Sequence, residues 1–146
     1  MHTILRTPVR LALTSLLVIA TGPTASAQES LTVTDVDGQP VTITDTSRVA
    51  TLGGVFTETA YALGAQDQVA AVDASSFHPP EALAEKPNFG YYRFLSAEPV
   101  LAQAPSLIIG NEDTGPPEVV AQLRDAGVPI LLLPDGDTVQ GARDLI

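Results

Sequence analysis

An α/β domain built on a parallel sheet is the fold this sequence predicts, and three observations carry the prediction. Four short runs are apolar on both faces, as strands sealed between two layers must be. Helix-like runs bounded by turn residues alternate with them. An alternating apolar and polar pair of segments precedes the first of these strands, the pattern of a hairpin with one wet face. The sheet order is expected to be Rossmann-like but does not follow from the runs themselves.

In chain order, residues 31–37 and 40–44 flank Gly38-Gln39 and predict the hairpin. Residues 48–53 read as a buried strand, followed by a helix from about Thr57 to Leu63 that Gly64 would end. Residues 68–73 form a second buried strand and residues 79–84 a short helix. Ser96 is placed to cap a helix over 97–103. Residues 106–110 give the third strand. Residues 116–126 give a helix with proline near its start and Gly127 just past its end. Val119, Val120 and Leu123 share one face of that helix, and residues 128–133 supply the fourth strand.

The amino terminus has the form of an export leader. His2, Arg6 and Arg10 make it basic, residues 11–20 are mostly apolar, and Ala25-Ser26-Ala27 matches a cleavage site. The apolar run falls short of the roughly 20 residues a membrane span needs. The expected division is therefore leader 1–27, an α/β ligand-binding lobe 28–137, and a further helical run over 138–146. With no cysteine, the chain can form neither a disulfide nor a cysteine-linked lipid anchor, so stability rests on a hydrophobic core. Seventeen acidic residues stand against seven basic ones, for a formal charge of −10. Such a surface repels nucleic acid and anionic lipid, both of which bind by phosphate neutralisation. No HExxH, GxSxG, GxGxxG or Walker pattern occurs, and the chain is expected not to be an enzyme.

Chemistry concentrates in residues 89–101. Only Tyr61, Tyr91 and Tyr92 occur as tyrosines, and there is neither cysteine nor tryptophan. A phenolate is a hard anionic ligand suited to ferric iron, and tyrosinate is an established axial ligand of haem. If residues 90–94 are extended, Tyr91 and Arg93 share a face and Tyr92 points away. A guanidinium beside the phenol would then favour the phenolate. His78 lies in a Pro-flanked loop with no histidine or carboxylate cluster beside it in sequence.

The stretch Gly90-Tyr91-Tyr92-Arg93 followed by Leu95-Ser96-Ala97-Glu98 resembles the Gly-Tyr-x-Arg-x-Leu-Ser-Ala-Glu segment of periplasmic haemin-binding proteins that serve ABC importers. The resemblance implies that Tyr91 is the axial iron ligand, that Arg93 supports it, and that Glu98 docks on an arginine of the permease. Haem would be carried as transported ligand, not as a resident cofactor. The family has two α/β lobes joined by a rigid linking helix, the class III type. Residues 138–146 match the start of that helix, so the resemblance covers the first lobe and implies a partial chain. The loops after the strands, with Gly53, Gly54, Asp113 and Gly115, would line the cleft together with Tyr92. Helix-start amides there would accept a propionate. The expected protein is a monomeric periplasmic carrier that hands haem to an ABC permease of the inner membrane. It would have no nucleic-acid partner and no membrane anchor. A ferric siderophore, cobalamin or a metal ion are alternative ligands on the same fold. A secreted enzyme and a non-functional gene fragment are the readings of another class.

Overall fold

The computed structural model of the chain describes residues 30–134. The expected leader and the run expected to begin a linking helix lie outside the described residues. No helix among those residues is long and apolar enough to cross a membrane.

Strands β1 (Leu31–Thr34) and β2 (Pro40–Ile43) pair antiparallel, with Leu31 opposite Ile43 and Thr34 opposite Pro40. Their turn is wider than the expected Gly38-Gln39 pair and occupies residues 35–39. Asp35 closes it. Its amide donates to the Gln39 carbonyl at 2.9 Å, its carbonyl accepts from the Gly38 amide at 3.0 Å, and its carboxylate accepts from the Gln39 amide at 2.7 Å. An acidic side chain that bonds its own turn outweighs the local preference for a two-residue loop.

The remaining strands, β3 (Val49–Thr51), β4 (Val69–Val72), β5 (Leu107–Asn111) and β6 (Ile130–Leu133), form one parallel sheet in the order β4-β3-β5-β6. Helices α1 (Gly54–Ala62), α2 (Pro80–Glu85), α3 (Ala97–Ala102) and α4 (Pro117–Asp125) fall where the sequence places them, with ends slightly shifted. The one substantial shift is α1, which starts at Gly54 instead of near Thr57. Glycine there does not delay the helix, because neighbouring loops fix its geometry, as described below. Ser96 does occupy the N-cap of α3, but its side chain makes no capping bond.

Both faces of the sheet are covered, and the side chains alternate accordingly. Ala50, Ile108, Ile130 and Leu132 join a core with Val100 of α3 and Val119, Val120 and Leu123 of α4. Val49, Leu107 and Leu131 point the other way, against Val41 and Val33 of the hairpin. Burying each such side chain contributes about 1.5–3 kcal/mol. Helices α1 and α4 end alike. The Gly64 amide bonds the Tyr61 carbonyl and the Ala65 amide that of Ala60, while Gly127 and Val128 do the same on Arg124 and Leu123. These paired bonds satisfy carbonyls that a helix end leaves open.

The hairpin is tied to the sheet rather than hanging from it. The Val36 amide donates to Leu132 at 2.9 Å, covering the β6 edge. The Arg124 guanidinium meets the fully buried Asp35 carboxylate at 3.0 Å. At the opposite edge, Asn88 adds a parallel bridge to Val72.

Strands β3 and β5 are neighbours, and the chain leaves them in opposite directions, from β3 to β4 and from β5 to β6. At such a reversal the loops beyond the carboxyl ends of the strands border a crevice. The β3–α1 loop, the β5–α4 loop and the chain that follows β4 all open on this end.

Candidate functional site

Asp73 organises the crevice end, and sequence reading missed it. It stands one residue past β4 and is fully buried. Its Oδ1 accepts from the Gly53 amide at 3.0 Å, the Ser75 hydroxyl at 3.0 Å and the Ser76 hydroxyl at 3.1 Å. Its Oδ2 accepts from the Ser75 amide at 3.1 Å and the Tyr92 amide at 3.4 Å. One carboxylate therefore joins the β3–α1 loop, its own loop and the tyrosine segment. The available signal was an acid directly after a buried strand, followed by two serines.

A chain of hydroxyls extends this network into the core. Thr51 and Thr57 lie 2.7 Å apart, as do Thr57 and Ser76. Each hydroxyl has a single hydrogen. Since Ser76 gives its hydrogen to Asp73, Thr57 donates to Ser76 and Thr51 donates to Thr57. Thr57 is thus turned inward and fully buried. That contact draws the start of α1 back to Gly54.

Gly53 and Gly54 serve this packing. Gly53 has φ 110, a conformation that favours glycine. A Cβ on Gly54 would lie 2.6 Å from the Ser75 carbonyl oxygen. The Gly53 amide bonds Asp73 and the Gly54 amide bonds the Ser75 hydroxyl at 3.0 Å. These two amides are therefore engaged within the protein and are not free to accept a propionate.

The tyrosine segment departs from the extended conformation expected of it. Tyr91 is extended, but Tyr92–Phe94 forms a 3-10 turn. The turn is stitched to the β5–α4 loop: the Gly115 amide donates to the Tyr92 carbonyl at 3.0 Å, and the Leu95 amide to the Gly115 carbonyl at 2.9 Å. Tyr91 and Arg93 therefore do not lie side by side. Arg93 instead rests over the Tyr92 ring, its guanidinium carbon 5.4 Å from the centroid, and donates Nε–H to the Tyr92 hydroxyl at 3.1 Å. Its Nη2 pairs with Asp113. Tyr92 and Gly115 are buried, whereas Tyr91 is 40% exposed.

Tyr91 leans on Tyr92, with ring centroids 4.7 Å apart and planes at 56°, and Phe94 stands 6.1 Å from it. A hydrogen bond with Tyr92, then partial desolvation, hold the Tyr91 hydroxyl above its ordinary pKa, and the Tyr92 and Asp73 charges act the same way. The Arg93 charge pulls downward without prevailing. Arg93 thus lowers the phenol pKa as expected, but the net shift is upward, because the guanidinium hydrogen-bonds the Tyr92 hydroxyl and acts on Tyr91 only as a charge. Arg93 is itself held above its usual range, first by its bond to Tyr92.

The segments at the crevice end carry exposed apolar groups, Phe94 among them beside Tyr91. Phe94 is 78% exposed, Phe77 66% and Val55 40%, and each belongs to a segment that follows a strand end or joins the tyrosine turn. Neither aromatic was singled out from sequence; their signal was aromatic side chains in loop positions of a chain with four phenylalanines. Glu98 is exposed in the first turn of α3, where a negative charge suits the helix dipole. His78 lies apart, exposed beside Pro79, and shares a groove with Tyr61, Glu81 and Glu85. Among the described residues no cluster of three or more histidine or acidic side chains is placed to hold a metal ion. The arrangement offers one accessible phenol with an exposed Phe94 beside it, backed by a second phenol that carries a guanidinium.

Comparison with known proteins gives three kinds of match. A family profile described as periplasmic binding protein matches residues 49–146. The chain is 36% identical over 83 residues to a vitamin B12-binding protein of Vibrio cholerae serotype O1, covering 57% of this chain and 30% of that protein. Among solved structures, the periplasmic heme-binding protein RhuT of Roseiflexus sp. RS-1 in apo form superposes with a TM-score of 0.61 and 41% identity, over 69% of this chain and 41% of that one. The heme binding protein HmuT superposes with a TM-score of 0.70 and 30% identity, over 88% of this chain and 43% of that one. The chain spans less than half the length of each of these relatives.

Proposed function

The chain belongs to the periplasmic binding protein family, and from that premise we propose that it captures haem in the periplasm and delivers it to an ABC permease of the inner membrane. The observation that carries this reading is the half-exposed Tyr91 at the crevice end of the sheet, with Phe94 beside it, in a chain similar to heme-binding proteins. Tyr91 takes the axial position on ferric iron as phenolate, since a ferric ion prefers a hard anionic oxygen. Phe94, Phe77 and Val55 supply apolar surface for the porphyrin. Arg93 and Asp113 supply charge behind the ligand, and Tyr92 and Gly115 shape the wall behind it. Gly53 and Gly54 belong to the cleft lining through the loop packing they permit. Glu98 docks on a cationic group of the permease. The protein is a monomeric carrier and not a catalyst.

Haem is cargo here, so the work of the site is selective holding. A phenolate bond fixes the iron, and apolar contact lowers the exposure of the ring to water. The test is a spectral titration with haemin. The wild-type chain is expected to show the charge-transfer bands of high-spin ferric iron on a phenolate, and Tyr91→Ala to lose them. Bands that persist in Tyr91→Ala would refute the assignment.

A second reading has its own observation. The curated relatives are vitamin B12-binding proteins at 35–36% identity. On that reading the same crevice holds a corrinoid, and the aromatic rings stack on it without ligating its metal. Cyanocobalamin binding that survives Tyr91→Ala, in a chain indifferent to haemin, would favour it.

A further inference from the structure

We propose that the apolar groove on the hairpin side of the sheet is the seat of this chain's own residues 138–146, which close it as a short amphipathic helix. The inference concerns the lobe alone and is independent of what Tyr91 binds.

Val49, Leu107, Ile109, Leu131 and Leu133 share that side of the sheet. The hairpin covers one part of it through Val33 and Val41, and α1 packs over β3 and β4. Between the two an open groove remains, with a volume of about 250 Å³. Thr51, Leu107, Ile109 and Leu133 line its floor, and Phe56 and Leu63 stand on the α1 side. Protein interiors hold few voids larger than a water molecule, so a space of this size is not a packing defect. Ile109, on an inner strand, and Leu133 are only half-buried, and Leu63 at the rim is 78% exposed. Parallel sheets are covered on both faces. Among the described residues nothing completes the cover here.

The chain supplies an occupant at the groove's own edge. Leu133 lines the groove, and Pro134 follows it as the last described residue, with no amide to extend the ladder. Asp135-Gly136-Asp137 is turn chemistry, and Asp137 with Gln140 three residues on has the pattern of a helix start. On a helical period Val139, Ala142, Leu145 and Ile146 then share one face, and Gln140, Arg143 and Asp144 the other. The three residues before that run reach at most about 10 Å. That is about two strand spacings, enough to pass from β6 over β5 to β3 and no further. The run itself, as a helix, would be about 13.5 Å long. On the opposite face Ile130 and Leu132 are already packed in the core with α3 and α4. The groove is thus the uncovered apolar surface within reach. A helix this short is marginal by itself, so its apolar face needs a partner as the groove needs a cover. Seated there, the run would rest on β3 and α1, the two elements whose junction carries Gly53 and holds Thr57 inward.

The experiment is methyl NMR on the full chain without haemin, repeated on a mixture of labelled and unlabelled copies. NOEs are expected within one copy, from the methyl groups of Ile109 and Leu133 to those of Val139, Ala142, Leu145 or Ile146. Leu145→Asp should abolish them and raise the fluorescence of the apolar dye ANS several-fold as the groove opens. Gln140→Glu, on the opposite face of the run, should leave both readouts unchanged. NOEs found only between labelled and unlabelled copies would give the groove to a second copy and overturn the proposal. Their absence from the wild-type chain would overturn it whatever the variants do. Should Leu145→Asp fail to fold, the wild-type NOEs decide alone.

Discussion

Tyr91 owes its chemistry to neighbours that hold its proton as well as its ring. Its pKa lies above the ordinary tyrosine value, first through the hydrogen bond with Tyr92, so the empty site carries a neutral phenol at neutral pH. Under the proposed assignment, ferric iron must displace that proton, and protons therefore compete with haemin. Haemin affinity is expected to fall as pH falls, by about tenfold per pH unit if one proton is released, as titrations at several pH values would show. In Tyr91→Ala the part of that slope due to the phenol should vanish. Asp73 is the other residue on which the site depends. Asn at this position keeps one oxygen but turns an NH2 group toward amide and hydroxyl donors. Each buried polar group left unmatched costs about 1–3 kcal/mol, so Asp73→Asn is expected to lower stability by about 3 kcal/mol. Urea denaturation measures this, and a loss below that of Ser76→Ala would deny Asp73 its central role.

At the scale of elements, the decisive joint is where β3 enters α1 beside the loop after β4. Gly54 makes that joint possible, since a Cβ there meets the Ser75 carbonyl oxygen at 2.6 Å. Backbone on both sides leaves little freedom to yield. Gly54→Ala is expected to cost about 1–3 kcal/mol, the range for forced overpacking. It should also weaken haemin binding, because the loop it displaces holds Asp73 and through it the Tyr92 amide. Gly38→Ala is the contrast: it has positive φ but open space around it, so its cost should be confined to stability and spare binding. A Gly54→Ala chain with wild-type stability and haemin affinity would show the joint to be more compliant than its geometry implies.

At the scale of the whole molecule, the proposed reading puts ligand binding and permease docking on different side chains of one connected segment. Tyr91 ends an extended stretch, the 3-10 turn carries Arg93, and α3 begins with Glu98 exposed in its first turn. Glu98→Lys is therefore expected to leave haemin binding unchanged and to reduce haem transfer to the permease, since a charge reversal at a docking contact costs several kcal/mol. Uptake measured with the complete transporter checks this, and normal uptake would remove Glu98 from the docking surface. The site itself depends on the sheet for its frame. Strands β3 and β5 set where the loops emerge, and Asp73 and the Gly115 backbone draw the tyrosine turn to them.

Much of this protein was legible in its residues taken in order. Strands such as residues 107–109 and 130–133 must be apolar on both faces to be covered on both, and helices α1 and α4 stop where Gly64 and Gly127 permit paired terminal bonds. These are local rules, and local windows contain them. The scarcity of tyrosine and the pattern around Tyr91 drew attention to this residue, which the structure leaves 40% exposed. The hairpin turn was misjudged by width, because the Asp35 side chain closes it from within. The conformation of the tyrosine segment was beyond any window. Its backbone is set by bonds to Asp73 nineteen residues earlier and to Gly115 further on, and its guanidinium is braced by Asp113 twenty residues away. Those partners turn residues 92–94 into a 3-10 turn and hand Arg93 to Tyr92. The sequence by itself determined which elements form along residues 30–134. Only the tertiary structure decided which atoms the Tyr91 phenol meets, because hydrogen bonds between distant loops override the extended preference of five residues read alone.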